Sequence, residues 1–321
     1  MDDDDNWWAY NYPKNLDKQE FPKLMVPRLI TRLFCAMDLD GACYLDNVDV
    51  GGVLCENDAE LPYLAAILNA PVCNFVWRRT SKPFQNDYRS ANKQFIAPLP
   101  IPDATPDERA DVGDRARELQ DLHTRRRDTI AQLDQRLLSA QTIPMNPSPK
   151  EDWLWSAIGT AASWQQAPEV SPGLTGRALT VWAKDRHAAA LQQHLDALDT
   201  LLQPGATLTV RNTDDKLTLD IAGREALRLF DRPDTPFLAA QWRHALRDLN
   251  VTEAFDAKRL IKLLLTLRTT NETTLRDRIL ALDTEITTLD QTIASREAEL
   301  NALIYQLYRL TPGEITMVEA G

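Results

Sequence analysis

Glycine is scarce in this chain, 11 of 321 residues, and no glycines are arranged as phosphate-cradling loops require. A P-loop needs GxxxxGK[ST] so that backbone amides converge on phosphate, and no such run occurs. No GxGxxG follows a strand-like segment either. Histidine is equally thin. His123, His187, His194 and His244 form no HExxH and no ligand set spaced for a metal. His187 and His194 lie seven apart on one face of a helical stretch, which reads as a solvated or packing pair. Cys35, Cys43, Cys55 and Cys73 include no CxxC, so they read as buried free thiols in a reducing compartment. No window holds 18 consecutive apolar residues, so no transmembrane helix is expected. The start, "MDDDDNWWAY", lacks the positive charge and apolar core of a secretory signal. These absences point to a cytoplasmic chain that keeps away from membranes and has no cofactor loop.

What is present is charge, unevenly distributed. The formal net charge is −11, which disfavours indiscriminate attraction to nucleic acid, although contacts are made by patches and not by totals. Trp77 to Phe95 carries five cations against Asp87 alone, and Lys14 to Arg32 carries five against Asp17 and Glu20. Between them, Asp38 to Glu60 holds seven carboxylates and no cation.

The periodicity predicts an α+β chain. Residues 21–54 read as short strands and turns, with an Asp-Gly turn in "DLDGACYL". Leu64, Ile67, Leu68 and Val72 then adopt helical spacing, with Pro71 as a break. The run "APLPIP" reads as a rigid extended connector closing a mixed α/β domain over 1–104. Thr105-Pro-Asp-Glu108 has the form of a capping box. After it, positions 112, 116, 119, 123, 126, 130, 133 and 137 step by four and three, and two of these seam residues, His123 and Arg126, are polar. A matching pattern from Leu275 to Leu307 predicts a second long helix and an antiparallel pair, each helix spanning on the order of 54–56 Å at 1.5 Å per residue. The first helix is bounded at 105–140, a small α+β insertion with a β-hairpin at "ATLTVRNTDDKLTLDIAG" at 141–250, and the returning helices at 251–321. "MNPSPK" lacks the adjacent second proline and the stacking aromatic of a base-holding loop, and reads as a linker. No catalytic constellation emerges.

The stretch "SKPFQNDYRSANKQFIAPLPIP", residues 81–102, stands out. Together with the preceding arginines it supplies Arg78, Arg79, Lys82, Arg89 and Lys93 to neutralise phosphates. Asn86, Asn92 and Gln94 are amides able to read adenine edges, and Phe84, Tyr88 and Phe95 are rings for stacking or wedging.

The order "NLDKQEFPKLMVPRL", "GACYLDNVDVGGVL", "LPYLAAILNAPVCNFVWRR", "SKPF…Y…NKQFIAPLPIP" closely resembles the C-terminal specificity region of adenine-specific DNA methyltransferases. These are the TaqI-like domains of type IIG restriction–modification enzymes. "FDAKRLIKLLLTLRTT" and "LNALIYQLYRLTP" look like the tail of the same enzymes, so the resemblance covers nearly all of the chain and is most specific over 12–102 and 251–315. It implies target recognition on double-stranded DNA by residues 1–104. It places S-adenosylmethionine and catalysis on a separate methyltransferase domain or subunit, and it assigns no catalytic or cofactor residue here. Two other readings remain: a coiled-coil module that docks a partner protein, and a metal nuclease built on Asp17, Glu20 and Lys23.

Overall fold

A computed structural model describes residues 18–45, 49–139, 143–145, 161–213, 216–229, 235–265 and 267–321. The chain divides into two compact units, Met1–Asp128 with Thr287–Gly321, and Thr129–Ile286. Lys14 and Asp17 of the first cationic stretch lie outside the described residues, as do 146–150 of the expected linker.

The first unit is built on an antiparallel sheet in the order β3 (Ala36–Asp38), β1 (Lys23–Pro27), β4 (Val50–Val53). Leu24 and Val26 point one way from β1 into the core, as a two-residue period requires. A second, minimal pairing joins β2 (Leu29–Ile30) to β5 (Arg89–Ser90). Helices α1 (Leu61–Asn69) and α2 (Pro71–Thr80) meet at a bend of 67°. The bend is encoded locally. Proline forces the preceding residue out of helical geometry, and Ala70 is extended at φ −67, ψ 149.

The outer edge of β3 and the residues leading into it are closed by two carboxamides. Asn69 accepts from the Cys35 amide (2.9 Å) and donates to its carbonyl (3.0 Å). Gln120 does the same for Met37 (2.8 and 3.0 Å). Each side chain imitates one residue of a neighbouring strand, so the edge is satisfied without another strand. At the far end of the sheet Lys23 and Asp38 form a buried ion pair at 2.6 Å. The ammonium also donates to the carbonyls of Gln19 and Phe21, and the carboxylate accepts from the amides of Ala42 and Cys43. This network folds the expected Asp-Gly turn back on the sheet. At Gly41, with φ +65, a Cβ would stand 2.0 Å from the Glu20 carbonyl oxygen.

All four cysteines are free, as expected, but only Cys35 and Cys73 are buried; Cys43 is exposed and Cys55 half-buried. Both lie in irregular segments flanking the sheet, where the apolar pattern of the strands no longer applies. Burial pushes the Cys35 thiol up to about 12 and the Cys73 thiol up to about 11, so both stay protonated at neutral pH.

The core does not close where the proline connector ends. Helix α3 (Lys93–Ile96) leads into the connector and then into α4 (Pro106–Ser139), capped by Thr105 and Glu108 as its sequence predicts. Val112, Ala116 and Leu119 of α4 join Leu24, Leu33, Ile67 and Trp77 in one cluster. The compact unit therefore runs past 104, because the apolar stripe of the long helix is the missing wall of the domain.

In the second unit α5 (Ala161–Trp164) precedes α6 (Gly176–Leu201). His187 and His194 on α6 are both half-buried, and burial lowers the His194 pKa. The expected hairpin is present as β7 (Leu208–Thr213) and β8 (Lys216–Ile221), both following β6 (Ile143–Met145). A third strand, β9 (Arg224–Leu229), adds to it. That strand reads Arg-Glu-Ala-Leu-Arg-Leu, a helix-favouring composition, and the Ala222-Gly223 turn at φ 49 and 75 folds it back onto β8. Helix α7 (Thr235–Leu246) packs on this sheet through fully buried Trp242, whose indole N–H donates to the Leu264 carbonyl of α8 (Ala257–Leu265). After α8, β10 (Leu267–Thr269) pairs antiparallel with β6.

Helix α9 (Thr273–Leu307) runs antiparallel to α4 within each unit. In the first unit, Arg296 meets Glu118, Arg115 meets Glu299, and Arg126 meets Asp290. In the second, Leu133 packs with Ile279, Leu282 and Ile286. The polar seam members are explained by partners: His123 lies 3.2 Å from Glu297, and Arg126 holds Asp290. The chain ends in α10 (Pro312–Glu319), opened by a Thr311–Glu314 capping box.

Two outcomes follow. Leu282 is 1% exposed whereas Leu138 on α4 is 79% exposed. Leu282→Ala is expected to destabilise the fold by about 2–5 kcal/mol and Leu138→Ala by no more than about 0.5 kcal/mol, both read from denaturant midpoints. Asp38 titrates below its ordinary 3.8: burial opposes its charge, but the Lys23 ammonium and the Cys43 and Ala42 amides outweigh that. Its contribution is complete above that ordinary value and is lost as pH falls through the lowered one. Asp38→Asn should flatten the acid limb of the stability curve. It should also cost about 3–5 kcal/mol at neutral pH by leaving Lys23 buried and unpaired.

Candidate nucleic-acid interface

The residues singled out between Arg78 and Gln94 lie on one continuous support. Trp77, fully buried near the end of α2, donates from its indole nitrogen to the Ser90 carbonyl at 3.0 Å. Between them the chain makes a narrow loop. Phe84 N–H donates to Tyr88 O (2.7 Å), Ser90 N–H donates to Lys82 O (3.1 Å), and Pro83 bridges Arg89. At its tip Asn86 and Asp87 adopt φ 57 and 59, a left-handed geometry that short polar side chains tolerate.

The loop does not stand alone. Pairing of β5 with β2, extended by Ala91 N–H to Arg28 O at 2.8 Å, sets the Arg28 backbone beside it, whereas Arg32, past the strand, lines a cleft with Glu297. The two cationic stretches that the sequence separates by an acidic run are therefore neighbours. The charge count marks each stretch separately, and only strand pairing joins them. Lys23 leaves this set because it is buried against Asp38.

The five loop cations are held differently. Arg78 donates to Thr31 O and to Asp87, and Arg89 donates to Ser81 O with its Nε 3.9 Å from Asp87. Arg79 lies over the Phe75 ring at 3.3 Å and donates to the Phe75 carbonyl. Lys82 sits 5.5 Å from the Phe84 ring. Lys93 is exposed and has no ion-pair partner among the described residues. Phe84 and Tyr88 are 48% and 42% exposed. Phe95, the third expected ring, instead packs against the core, because the turn of α3 points it inward. Asn92 opens α3 without a side-chain cap bond, and Asn92 and Gln94 are exposed.

The proline connector is pinned by two phenols. Tyr63 donates to Pro102 O at 3.0 Å and Tyr308 to Pro100 O at 2.6 Å. Burial keeps the Tyr308 hydroxyl protonated well beyond the ordinary range, so it remains a donor.

Other candidates in the first unit are weaker. A cleft of about 490 Å³ is walled by Ala65, Ala116, Leu119 and Leu300, but its amides, Asn69 and Gln120, are engaged with strand backbone. The nuclease set loses Lys23 to Asp38, and Glu20 accepts from the Tyr44 hydroxyl at 2.8 Å. Among the described residues no group of three or more His, Cys, Asp or Glu is placed to hold a metal. Nor is any single described helix long and apolar enough to cross a membrane. No protein-family model, curated protein or solved structure matches this chain.

Trp77→Phe keeps an aromatic side chain but removes the indole N–H, leaving the Ser90 carbonyl without that donor. Loss of that buried hydrogen bond should cost about 1–3 kcal/mol and speed hydrogen exchange at the Ala91 amide. Unchanged exchange would mean that the loop is held independently of the core.

Proposed function

We propose that this chain recognises double-stranded DNA in a sequence-specific manner. It would serve as the specificity part of an adenine-specific DNA methyltransferase of a type II, IIG-like restriction–modification system. In this reading S-adenosylmethionine and methyl transfer belong to a separate catalytic domain or subunit. The methyltransferase part rests on the resemblance of residues 12–102 and 251–315 to such specificity regions.

The observation that carries the DNA reading is the composition of the exposed loop edge. Two half-exposed rings, Phe84 and Tyr88, stand among cations and next to the exposed amides of Asn92 and Gln94. Cations alone would bind any polyanion, and phosphate contacts carry no sequence information. Exposed carboxamides supply paired donors and acceptors for base edges, and exposed rings supply surfaces that stack on bases or wedge between them. An acidic remainder repels DNA that the edge does not engage. The rival docking module is disfavoured because the apolar seam positions of α4 and α9 are already packed inside each unit.

Binding sites selected from randomised duplexes supply the probe, titrated with salt. Lys82→Ala and Lys93→Ala should weaken binding to every duplex and lower the magnitude of the log–log salt slope by about one each. Asn92→Ala and Gln94→Ala should instead cost about 1–3 kcal/mol on the selected site and little elsewhere. If replacing Arg78, Arg79, Lys82, Arg89 and Lys93 together leaves affinity and slope unchanged, the edge does not face DNA.

A further inference from the structure

Arg78 and Arg89 converge on a single carboxylate, and the two contacts are unequal. Arg78 Nη2 reaches Asp87 Oδ2 at 2.8 Å, a full hydrogen bond. Arg89 Nε stops 3.9 Å from Oδ1, and this buried nitrogen makes no hydrogen bond at all. Each guanidinium is also anchored away from Asp87, Arg78 by the Thr31 carbonyl at 3.1 Å and Arg89 by the Ser81 carbonyl at 3.3 Å. Both arginines therefore keep their positions if the carboxylate leaves. The carboxylate itself is free to leave, since its side chain is 55% exposed whereas those of the arginines are 31% and 21% exposed.

We propose that Arg78 and Arg89 form a binding site for one phosphodiester group of DNA, and that Asp87 fills it when no DNA is bound. A phosphodiester carries the same single negative charge as the carboxylate and offers two non-bridging oxygens on a tetrahedral centre. One oxygen takes the place of Oδ2 on Arg78, and the other meets the unsatisfied Arg89 Nε. Asp87 is held at φ 59 next to Asn86 at φ 57, a sparsely populated geometry that resists displacement little once the ion pair is replaced. Every duplex has to displace Asp87 first, and only a duplex that also satisfies the base-facing amides offsets that step. Asp87 thus lowers affinity for all DNA alike, so that at a given concentration only a duplex that also satisfies the base-facing amides is held, while the ratio between selected and random duplexes is unchanged. The inference deepens the DNA reading and rests on it for its ligand.

The test uses the full chain with Asp87→Asn, which keeps tolerance of the left-handed geometry. Asp87→Gly serves as a second variant with the same freedom, and Asp114→Asn on α4 controls for lost charge. Inorganic phosphate is one probe, followed through the Nε–H resonances of Arg78 and Arg89. Random-sequence and selected duplexes are the other. Both Asp87 variants should respond to phosphate at concentrations roughly tenfold lower than the parent chain, and bind random duplexes roughly tenfold tighter with a steeper salt slope. The selected duplex should tighten by the same factor, leaving the ratio of the two affinities unchanged, and Asp114→Asn should show no gain for phosphate or for either duplex. Phosphate responses that match the parent overturn the proposal, even if the five-cation replacement abolishes duplex binding, which leaves the DNA reading standing. A gain for phosphate with no duplex dependence on the five cations keeps the anion site and removes the DNA reading.

Discussion

The hydrogen bond from the Trp77 indole to the Ser90 carbonyl ties the core of the first unit to its most functional-looking surface. The ring is fully buried, and a buried indole N–H without an acceptor is costly, so packing the ring fixes where Ser90 lies. Ser90 is in β5, whose pairing with β2 positions Arg89 and the loop before it. Trp77 in turn is aimed by the bend at Ala70-Pro71, which rotates α2 away from the line of α1. Displacement along this chain of contacts would carry the cations and amides with it.

The management of charge follows from the same economy. An acidic protein presents a cationic edge by burying or pairing selected charges. Lys23 is withdrawn into the core with Asp38, and Asp87 engages two arginines at the edge itself. Exposed pairs of the second kind contribute little stability, so Asp87 is better understood through what it does to the arginines than through what it adds to the fold. The buried pair differs. With every donor and acceptor satisfied, it fixes the turn around Gly41 and the start of β1.

The long helices show how a heptad pattern absorbs polar residues. His123, Arg126 and Arg296 occupy seam positions where leucine would be expected, and each meets an acid of the opposite helix, Glu297, Asp290 and Glu118. Half-exposed pairs at these positions select an antiparallel partner and a register, whereas a uniformly apolar seam would tolerate sliding.

Sequence alone determined the features that rest on local chemistry. Thr-Pro-x-Glu set both capping boxes, Pro71 set the helix break, alternation set the β7–β8 hairpin, and four-three stepping set the long helices and their pairing. It also marked the loop cations and amides, because their residue types are legible one by one. Tertiary structure decided what depends on partners distant in the chain. The carboxamides of Asn69 and Gln120 complete a strand edge that no local signal announces, β9 forms against its own helix-favouring composition, and the core extends past 104 into α4. Lys23 is buried and Phe95 half-buried against the core, although the sequence offers the first as a cation of its stretch and the second as a stacking ring. The same holds at the edge, where strand pairing sets Arg28 beside the loop and a left-handed turn brings Asp87 between Arg78 and Arg89. Spacing along a chain encodes periodicity, but which charges meet depends on side-chain directions in three dimensions, and those are fixed only once the core around Trp77 has packed.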